Sequence, residues 1–330
     1  NTFFSVKLKD SATSSLILID NFQTTRILNN SFIFLNGNFA ILSLPQGLKS
    51  QMLEADSNYI AYTDIKGFLL YTGDSIETVV LANNTFYINT FNLACVSIDV
   101  NLAFGTWIFD QNHFKKVDLG FDHTTKQGES SGFITVYSSN VSNENQEIIF
   151  SNSRFEYMNL GKSNTRSSQT SLLSIRTLHA IKMLNVSIED VDISSQGPLM
   201  DITSPAFFSL KDSLLKNIHT NSSAGMISLA SMENIIKNTS FIFLGSESGS
   251  GIFSLAAVLK NYTLQISACD FQTLNFKKPG GVVAIQTLES IKSLSSFVSQ
   301  YSVRLGISAC NITRFHSGSA VLLSGINCVD

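Results

Sequence analysis

The chain has 330 residues, of which only 14% are charged, and its formal net charge is −3. This charge balance excludes the basic surface of a nucleic-acid-binding protein, so no nucleic-acid partner is predicted. An apolar fraction of 44% excludes a disordered chain. No run of 18 apolar residues occurs, so no membrane span is predicted in this segment.

A short strand pattern recurs along the chain, and each copy ends in a large apolar residue that we call the anchor. Apolar residues alternate before the anchor, as Leu264 and Ile266 do before Phe271, and this period of two predicts β-strands. The alternation breaks just before the anchor, which predicts a turn of about two residues between two strands. The interval between the first two anchors, Phe32 and Phe86, is about twice the interval expected for one repeat. Ile65 is the candidate for the anchor that is missing between them. In chain order the anchors are Phe32, Phe86, Phe114, Phe155, Ile188, Leu214, Phe241, Phe271 and Ile312.

A second apolar run follows each anchor, as at 40–44, 132–136 and 251–255. Each repeat therefore contains about three short strands, and one repeat alone cannot bury its apolar side chains. Stacking the repeats in parallel buries them in one continuous core, so the sequence predicts an all-β solenoid of about ten coils. We expect residues 1–330 to form a single solenoid domain, with less regular coils over about 1–70. The first residue is Asn, which favours a fragment or processed part of a longer chain.

Asparagine is frequent three residues before the anchor. A stacked Asn column at a tight corner can be satisfied by amide hydrogen bonds between coils, and we interpret it as a ladder. The column consists of Asn29, Asn83, Asn152, Asn185 and Asn238.

This column resembles the corner of right-handed parallel β-helices in the pectin-lyase-like superfamily. The segments Phe86–Asn89 and 280–283 (Gly-Gly-Val-Val) also resemble repeats of adhesins and polymorphic outer-membrane proteins. The resemblance covers the chain from about residue 20 and implies a right-handed parallel β-helix.

Eight Asn-x-Ser/Thr sequons are candidate glycosylation sites. Four belong to loops or strand edges and are preferred, and four coincide with the Asn column. The column sites rank lower because an inward-facing Asn cannot carry a glycan, but an outward-facing column would be glycosylated in a row. The preferred sites are Asn140, Asn221, Asn261 and Asn311, and the column sites are Asn29, Asn83, Asn185 and Asn238.

Cys269 and Cys310 occupy the same position in successive coils. Adjacent coils lie about 4.8 Å apart, which is within the Cα–Cα range of a disulfide. The sequence leaves two alternatives open, a disulfide or two stacked buried thiols.

No constellation typical of catalysis is found. Glu189, Asp190 and Asp192 form the best acidic cluster, and alternation places Glu189 on the opposite face from the other two. Polysaccharide-cleaving chemistry needs convergent carboxylates on one face, so solvated carboxylates are predicted, with no catalytic, metal-binding or cofactor-binding residue. A looser acidic group is Asp110, Asp118, Asp122 and His123.

The predicted function is therefore that of a non-enzymatic structural or adhesive glycoprotein of the cell exterior. One form of this prediction is a subunit of a fibre assembled end to end. Its expected partners are copies of itself or neighbouring domains of the same chain, and carbohydrate. One alternative is a β-helix that binds or cleaves polysaccharides, for which a surface-exposed Trp107 could supply a sugar platform if it is not buried in the core. Another is the ectodomain of a large membrane protein.

Overall fold

The computed structural model describes residues 1–4, 15–18, 23–37, 39–44, 50–65, 70–72, 76–91, 94–100, 104–119, 131–138, 145–161, 170–176, 179–203, 206–222, 225–246, 251–256, 261–276, 281–286, 302–315 and 321–324. These residues form 33 β-strands in three sheets, which we call A, B and C. They contain no helix, and therefore none that is long and apolar enough to cross a membrane.

Sheet C consists of β3 (Thr24–Leu28), β7 (Ser50–Asp56), β10 (Ile76–Ala82), β13 (Phe104–Asp110), β16 (Asn145–Ser151), β19 (Ala180–Leu184), β22 (Phe207–Lys211), β25 (Glu233–Lys237), β28 (Asn261–Ser267) and β31 (Ser302–Ser308). Sheet A consists of β1 (Thr2–Phe4), β4 (Ser31–Ile33), β5 (Asn36–Gly37), β8 (Tyr59–Ile65), β11 (Thr85–Phe91), β14 (His113–Leu119), β17 (Arg154–Leu160), β20 (Ser187–Ile193), β23 (Leu214–Thr220), β26 (Ser240–Ser246), β29 (Asp270–Phe276) and β32 (Asn311–Phe315). Sheet B consists of β2 (Ser15–Leu18), β6 (Ala40–Leu44), β9 (Leu70–Thr72), β12 (Val96–Val100), β15 (Ser131–Ser138), β18 (Thr170–Arg176), β21 (Met200–Thr203), β24 (Ile227–Ala230), β27 (Gly251–Ala256), β30 (Gly281–Gln286) and β33 (Val321–Ser324).

From β3 onward the chain passes through sheets C, A and B in turn, and each strand pairs in parallel with its equivalent in the next coil. The fold is therefore an all-β parallel β-helix. The ten strands of sheet C mark ten coils, which confirms the predicted number. Every pairing between equivalent strands keeps like positions in register, as in Phe86 with Phe114 and Phe114 with Phe155.

The anchors stack in a column on the inner face of sheet A. Phe32, Phe86, Phe114, Phe155, Ile188, Phe241 and Phe271 are buried there. Aromatic rings stack directly over one another in this column. The ring centroids of Phe86 and Phe114 are 4.4 Å apart, and those of Phe114 and Phe155 are 4.8 Å apart. Apolar burial of this kind contributes about 25 cal/mol per Å².

Three positions of the predicted column need correction. Leu215, and not Leu214, pairs with both Ile188 and Phe241 and is buried. The missing anchor is Ile60, which lies between Phe32 and Phe86, whereas Ile65 lies five residues further along β8. Ile312 pairs with Phe271 but is 40% exposed, because no described strand of sheet A follows β32.

The Asn ladder is real, but its predicted position was wrong by one residue. The predicted column is exposed, and each of its members has a positive φ, between 49° and 56°. The residue that follows is buried, and in four successive coils it is Asn: Asn30, Asn58, Asn84 and Asn112. The sequence contained a signal for this register, since Asn-Asn pairs at 29–30 and 83–84 leave the choice open and only the second residue of each extends to Asn58 and Asn112.

The buried ladder satisfies polar groups at the corner between sheets C and A. The Asn84 side-chain oxygen accepts hydrogen bonds from the backbone N–H and the side-chain amide of Asn58, both at 3.0 Å. The Asn84 amide donates to the carbonyl of Ala55 at 2.9 Å and to the side-chain oxygen of Asn112 at 3.0 Å. Asn58, Asn84 and Asn112 each join three coils in this way.

Later coils replace Asn with smaller donors at the same position. The Ser213 hydroxyl accepts from the backbone N–H of Val186 at 3.1 Å and donates to the carbonyl of Lys211 at 2.7 Å. Thr239 donates in the same way to the carbonyl of Lys237 at 3.0 Å. Val186 occupies the same buried position without a side-chain donor, so a short hydrogen-bonding side chain is common at this corner but is not required there.

Candidate binding surface on sheet A

The outer face of sheet A carries the most unusual feature of the described chain. The strands of sheet A do not alternate throughout: β11 buries Phe86, Asn89 and Phe91 and exposes Ile88. The break occurs two residues after the anchor, where the backbone has a positive φ of 51° to 55° in nine coils. Regular alternation would turn this side chain into the core, and the left-handed backbone turns it outward instead.

Large apolar side chains occupy this outward position in five of the nine coils. None of the nine residues is Gly, although a positive φ favours Gly, Asn or Asp and is costly for bulky or β-branched residues. The five are Phe34, Tyr62, Ile88, Tyr157 and Phe243, and their exposed fractions are 49%, 43%, 38%, 52% and 52%. The other four are Lys116, Asp190, Asn217 and Thr273.

Three of these left-handed residues, Phe34, Tyr62 and Ile88, lie near two further tyrosines of the outer face. We call Phe34, Tyr59, Tyr62, Tyr87 and Ile88 the aromatic patch. The Phe34 and Tyr62 rings stack with centroids 5.2 Å apart, and Tyr87 meets Tyr62 edge-on at 5.8 Å. Burial raises the pKa of Tyr59, and the neighbouring phenols of Tyr62 and Tyr87 raise it further. Tyr59 is therefore a neutral donor at physiological pH.

Lysines lie beside the aromatic patch and beyond it. The Lys116 ammonium lies over the ring of Tyr87, and the Lys115 ammonium over the ring of Tyr157, each 5.8 Å from the ring centroid. A cation over an aromatic face is attracted to it by about 0.5–1 kcal/mol at exposed sites. The two lysines extend the surface with positive charge in the coil after Tyr87.

Carboxylates on the same face are engaged with neighbours. Glu156 lies within 3.2 Å of His113, 3.8 Å of Lys115 and 3.7 Å of Arg154. Such partly exposed pairs contribute little to stability, about 0–1 kcal/mol each. They nevertheless place Glu156 beside the cations of Lys115 and Arg154.

The acidic cluster predicted from the sequence lies on β20 and points outward as a whole. Glu189 was expected on the opposite face, but the left-handed residue Asp190 breaks the alternation, so Glu189 is also on the outer side. Asp190 accepts from Asn217, and Asp192 lies 3.3 Å from the His219 ring nitrogen. These contacts join equivalent positions of successive coils, and no three carboxylates converge.

The second acidic group is only partly within the described residues, because Asp122 and His123 lie outside them. Burial acts to raise the pKa of Asp110, but hydrogen bonds from Ser151, Asn152 and Gln111 outweigh it and lower the pKa below the ordinary value. Asp110 is thus an ionised acceptor at the corner between coils. Among the described residues, no group of three or more His, Cys, Asp or Glu side chains could hold a metal ion.

Sheet C has a groove with a volume of about 440 Å³ on its outer side. Lys182 forms an ion pair with Glu147 at this groove, and His179 also lines it. Trp107 is fully buried beneath the same sheet, so the alternative of an exposed sugar platform at Trp107 was wrong.

The candidate glycosylation sites have different environments. Among the preferred sites, Asn311 is exposed and Asn221 is half-buried, whereas Asn140 and the side chain of Asn261 lie outside the described residues. All four column sites are exposed, so of the two cases considered for the column the outward-facing one is correct. These four are Asn29, Asn83, Asn185 and Asn238.

Cys269 and Cys310 are free thiols, so the disulfide is not formed, and of the two only Cys269 is buried as the second alternative expected. They occupy the ladder position of their coils, and each thiol donates to the carbonyl two residues before it, at 3.3 Å. Each thiol is therefore hydrogen-bonded within its own coil instead of being linked to the other cysteine. Burial raises the pKa of Cys269 to about 11, and burial raises that of Cys95 well above its ordinary value.

We expect Cys95 and Cys269 to resist alkylation in the folded protein at pH 8, because the thiolate is the reacting form. Cys310 is partly exposed and should react first of the three. Peptide-level mass spectrometry after iodoacetamide treatment, with and without urea, measures this order. Equal labelling of Cys95 in both conditions, or a peptide linking Cys269 to Cys310, would contradict the structure.

No family model, curated protein or solved structure matches the chain. The parallel β-helix and its outer surfaces are therefore the basis for assigning a function.

Proposed function

We propose that this chain is a non-enzymatic adhesive protein of the cell exterior, and that it binds carbohydrate through the aromatic patch. The observation that carries the proposal is the placement of exposed aromatic and aliphatic side chains at left-handed backbone positions. The resemblance to the pectin-lyase-like superfamily and to adhesin repeats, with its right-handed coil, is part of the same proposal.

The patch is hard to explain by stability alone. Strained backbone conformations cost of the order of 1–3 kcal/mol each and persist where the surroundings or the function require them. Phe34 and Tyr62 gain little burial in return, since both are more than 40% exposed. Asn217 shows that a small polar residue fits the same position. Contiguous exposed apolar surface of this kind favours an interaction site.

Carbohydrate fits the chemistry of the patch. Sugar rings have apolar C–H faces that pack on aromatic rings, and hydroxyl groups at their edges. Tyrosine combines an apolar ring with a hydroxyl that donates and accepts hydrogen bonds. The Phe34 and Tyr62 rings stack on each other with centroids 5.2 Å apart, so together they offer an extended sugar chain their ring edges and the remaining outer ring faces.

The state of the carboxylates supports binding rather than cleavage. Cleavage of a glycosidic bond needs two carboxyl groups placed on either side of that bond. Glu156 is paired with Lys115 and Arg154, and Glu189 lies 3.9 Å from the Lys216 ammonium. Neither belongs to the aromatic patch. A polysaccharide-cleaving protein, an end-to-end fibre and the ectodomain of a membrane protein are the other functions that the sequence suggests.

Affinity electrophoresis in gels cast with neutral or acidic polysaccharides tests the proposal. We expect the wild-type protein to be retarded by at least one of them. The double variant Tyr62→Ala/Tyr87→Ala should bind at least tenfold more weakly, because aromatic side chains dominate such contacts.

Phe243→Ala is the matched control. Phe243 has the same backbone conformation and a similar exposure but lies on β26, far along the axis from the patch. Its replacement should leave retardation unchanged. Equal retardation of the wild type and the double variant, or no retardation by any polysaccharide, would refute carbohydrate binding at the patch.

A further inference from the structure

The corner between sheets C and A has the same length in every described coil. Two residues separate the strands: the first is exposed and has a left-handed backbone, and the second is the ladder residue, which is buried in every coil except that of Cys310. Asn83 and Asn84 show this arrangement between β10 and β11. Positions along the outer corner are therefore equivalent from coil to coil.

Five coils have Asn at the outer corner, and in four of them the residue two positions later is Ser or Thr. These four are Asn29 with Ser31, Asn83 with Thr85, Asn185 with Ser187, and Asn238 with Ser240. The fifth is Asn152 with Arg154.

The other five coils have no Ser or Thr at that second position. Their corner residues are Ser57, Gln111, Asp212, Ala268 and Ala309, followed two residues later by Tyr59, His113, Leu214, Asp270 and Asn311. The backbone does not require Ser or Thr there, since these five coils keep the same left-handed corner without it. The hydroxyl residue thus accompanies Asn, which is the pairing that a glycosylation sequon needs.

The local contacts also leave room for a glycan. The Asn83 amide donates to the Asp56 carboxylate at 2.9 Å, and the Asn185 amide to the Asn152 side-chain oxygen at 2.8 Å. N-glycosylation replaces only one of the two amide hydrogens, so the other can keep such a bond. Ser187 donates to Glu189 at 2.7 Å, which is another polar contact at the surface.

We propose that Asn29, Asn83, Asn185 and Asn238 carry N-linked glycans in a single row along the outer corner between sheets C and A. The inference rests on the exterior location in the proposed function. The donor is an oligosaccharide linked to a lipid pyrophosphate. The asparagine side-chain nitrogen forms a bond to the anomeric carbon, the bond from that carbon to the pyrophosphate oxygen breaks, the lipid pyrophosphate leaves with the electron pair, and the amide loses one proton.

The row has a defined spacing. Asn29 and Asn83 are two coils apart, Asn83 and Asn185 three, and Asn185 and Asn238 two. With about 4.8 Å per coil, neighbouring glycans are about 10 Å or about 14 Å apart. The sugars would follow one edge of the solenoid and shield the corner from lateral contacts with another molecule.

Secretion of the full chain from a eukaryotic host with an added signal sequence tests the row. Treatment with peptide N-glycosidase in heavy-oxygen water converts each occupied Asn to a labelled Asp, which peptide mass spectrometry locates. We expect label at all four positions in most molecules. The variants Ser31→Ala, Thr85→Ala, Ser187→Ala and Ser240→Ala should each lose one glycan and keep the melting temperature of the enzymatically deglycosylated parent within about 2 °C, because surface changes away from packing alter stability little.

Arg154→Thr is the complementary variant, since it creates a sequon at Asn152 in the same geometry. It should gain one glycan at Asn152 and remain folded. Unlabelled corner positions in folded, secreted protein, or an unmodified Asn152 in this variant, would overturn the proposal. Occupancy does not depend on polysaccharide binding, so the Tyr62→Ala/Tyr87→Ala variant should keep the full row, and each proposal can fail without the other.

Discussion

Replacing Phe114 with alanine is expected to destabilise the solenoid by about 3–5 kcal/mol, the usual range for a buried phenylalanine. Phe114 lies between the rings of Phe86 and Phe155 and meets Phe133 edge-on, with centroids 5.4 Å apart. Truncation therefore opens a cavity in the middle of the anchor column. Circular dichroism during urea unfolding of protein made without glycans measures the loss.

The matched control for this change is Phe243→Ala, the same substitution at an exposed position. It should shift the free energy of unfolding by less than about 0.5 kcal/mol. Phe114→Leu keeps most of the volume and should lie between the two. Equal unfolding midpoints for the Phe114→Ala variant and the wild type would show that the column is not the core of the structure.

Replacing Asn84 with alanine is expected to have a loss of similar size, about 3–5 kcal/mol. The backbone N–H of Asn58 and the carbonyl of Ala55 would both lose their partner at the Asn84 side chain. The Asn58 amide would lose an acceptor as well. Each buried polar group left unpaired costs about 1–3 kcal/mol. The same urea experiment measures the effect.

Two comparisons separate the ladder from the outer corner. Asn84→Ser should recover part of the loss, because Ser213 accepts and donates at the equivalent position of another coil. Asn83→Gly changes the neighbouring exposed residue to one that tolerates its positive φ of 52°, and we expect a change below about 1 kcal/mol. A larger loss of unfolding free energy for Asn83→Gly than for Asn84→Ala would show that the ladder lies at Asn83, as the sequence predicted.

The strands and their stacking could be predicted from the sequence because alternation over five to seven residues is strong and is repeated in every coil. The register at single positions was less certain. Leu214 and Leu215 are adjacent and chemically identical, so only pairing with Ile188 and Phe241 distinguishes them. Tandem Asn residues at the corner caused the same error in the ladder.

The aromatic patch could not be predicted from periodicity. A regular strand would turn Phe34 and Phe243, two residues after their anchors, into the core. Only a left-handed residue at this position turns them outward, and the local signal for that conformation is weak because Gly is absent from all nine coils and only Asp190 and Asn217 are of the other favoured types. Such disagreement between local preference and structure is expected at functional positions.

The stacking of coils of different lengths also determines how the molecule responds to force. Apart from β5, each strand pairs with its equivalents in neighbouring coils, so a pull along the axis loads the inter-coil interfaces in series and they separate one at a time. A released coil of 28 residues, such as the one from Asn84 to Asn112, extends to about 90–100 Å. The coil of 41 residues from Asn112 to Ser153 extends to about 140 Å. The solenoid would therefore lengthen in unequal steps, and the size of each step would follow the length of the loops in the released coil. It would absorb mechanical work over a distance many times its folded height.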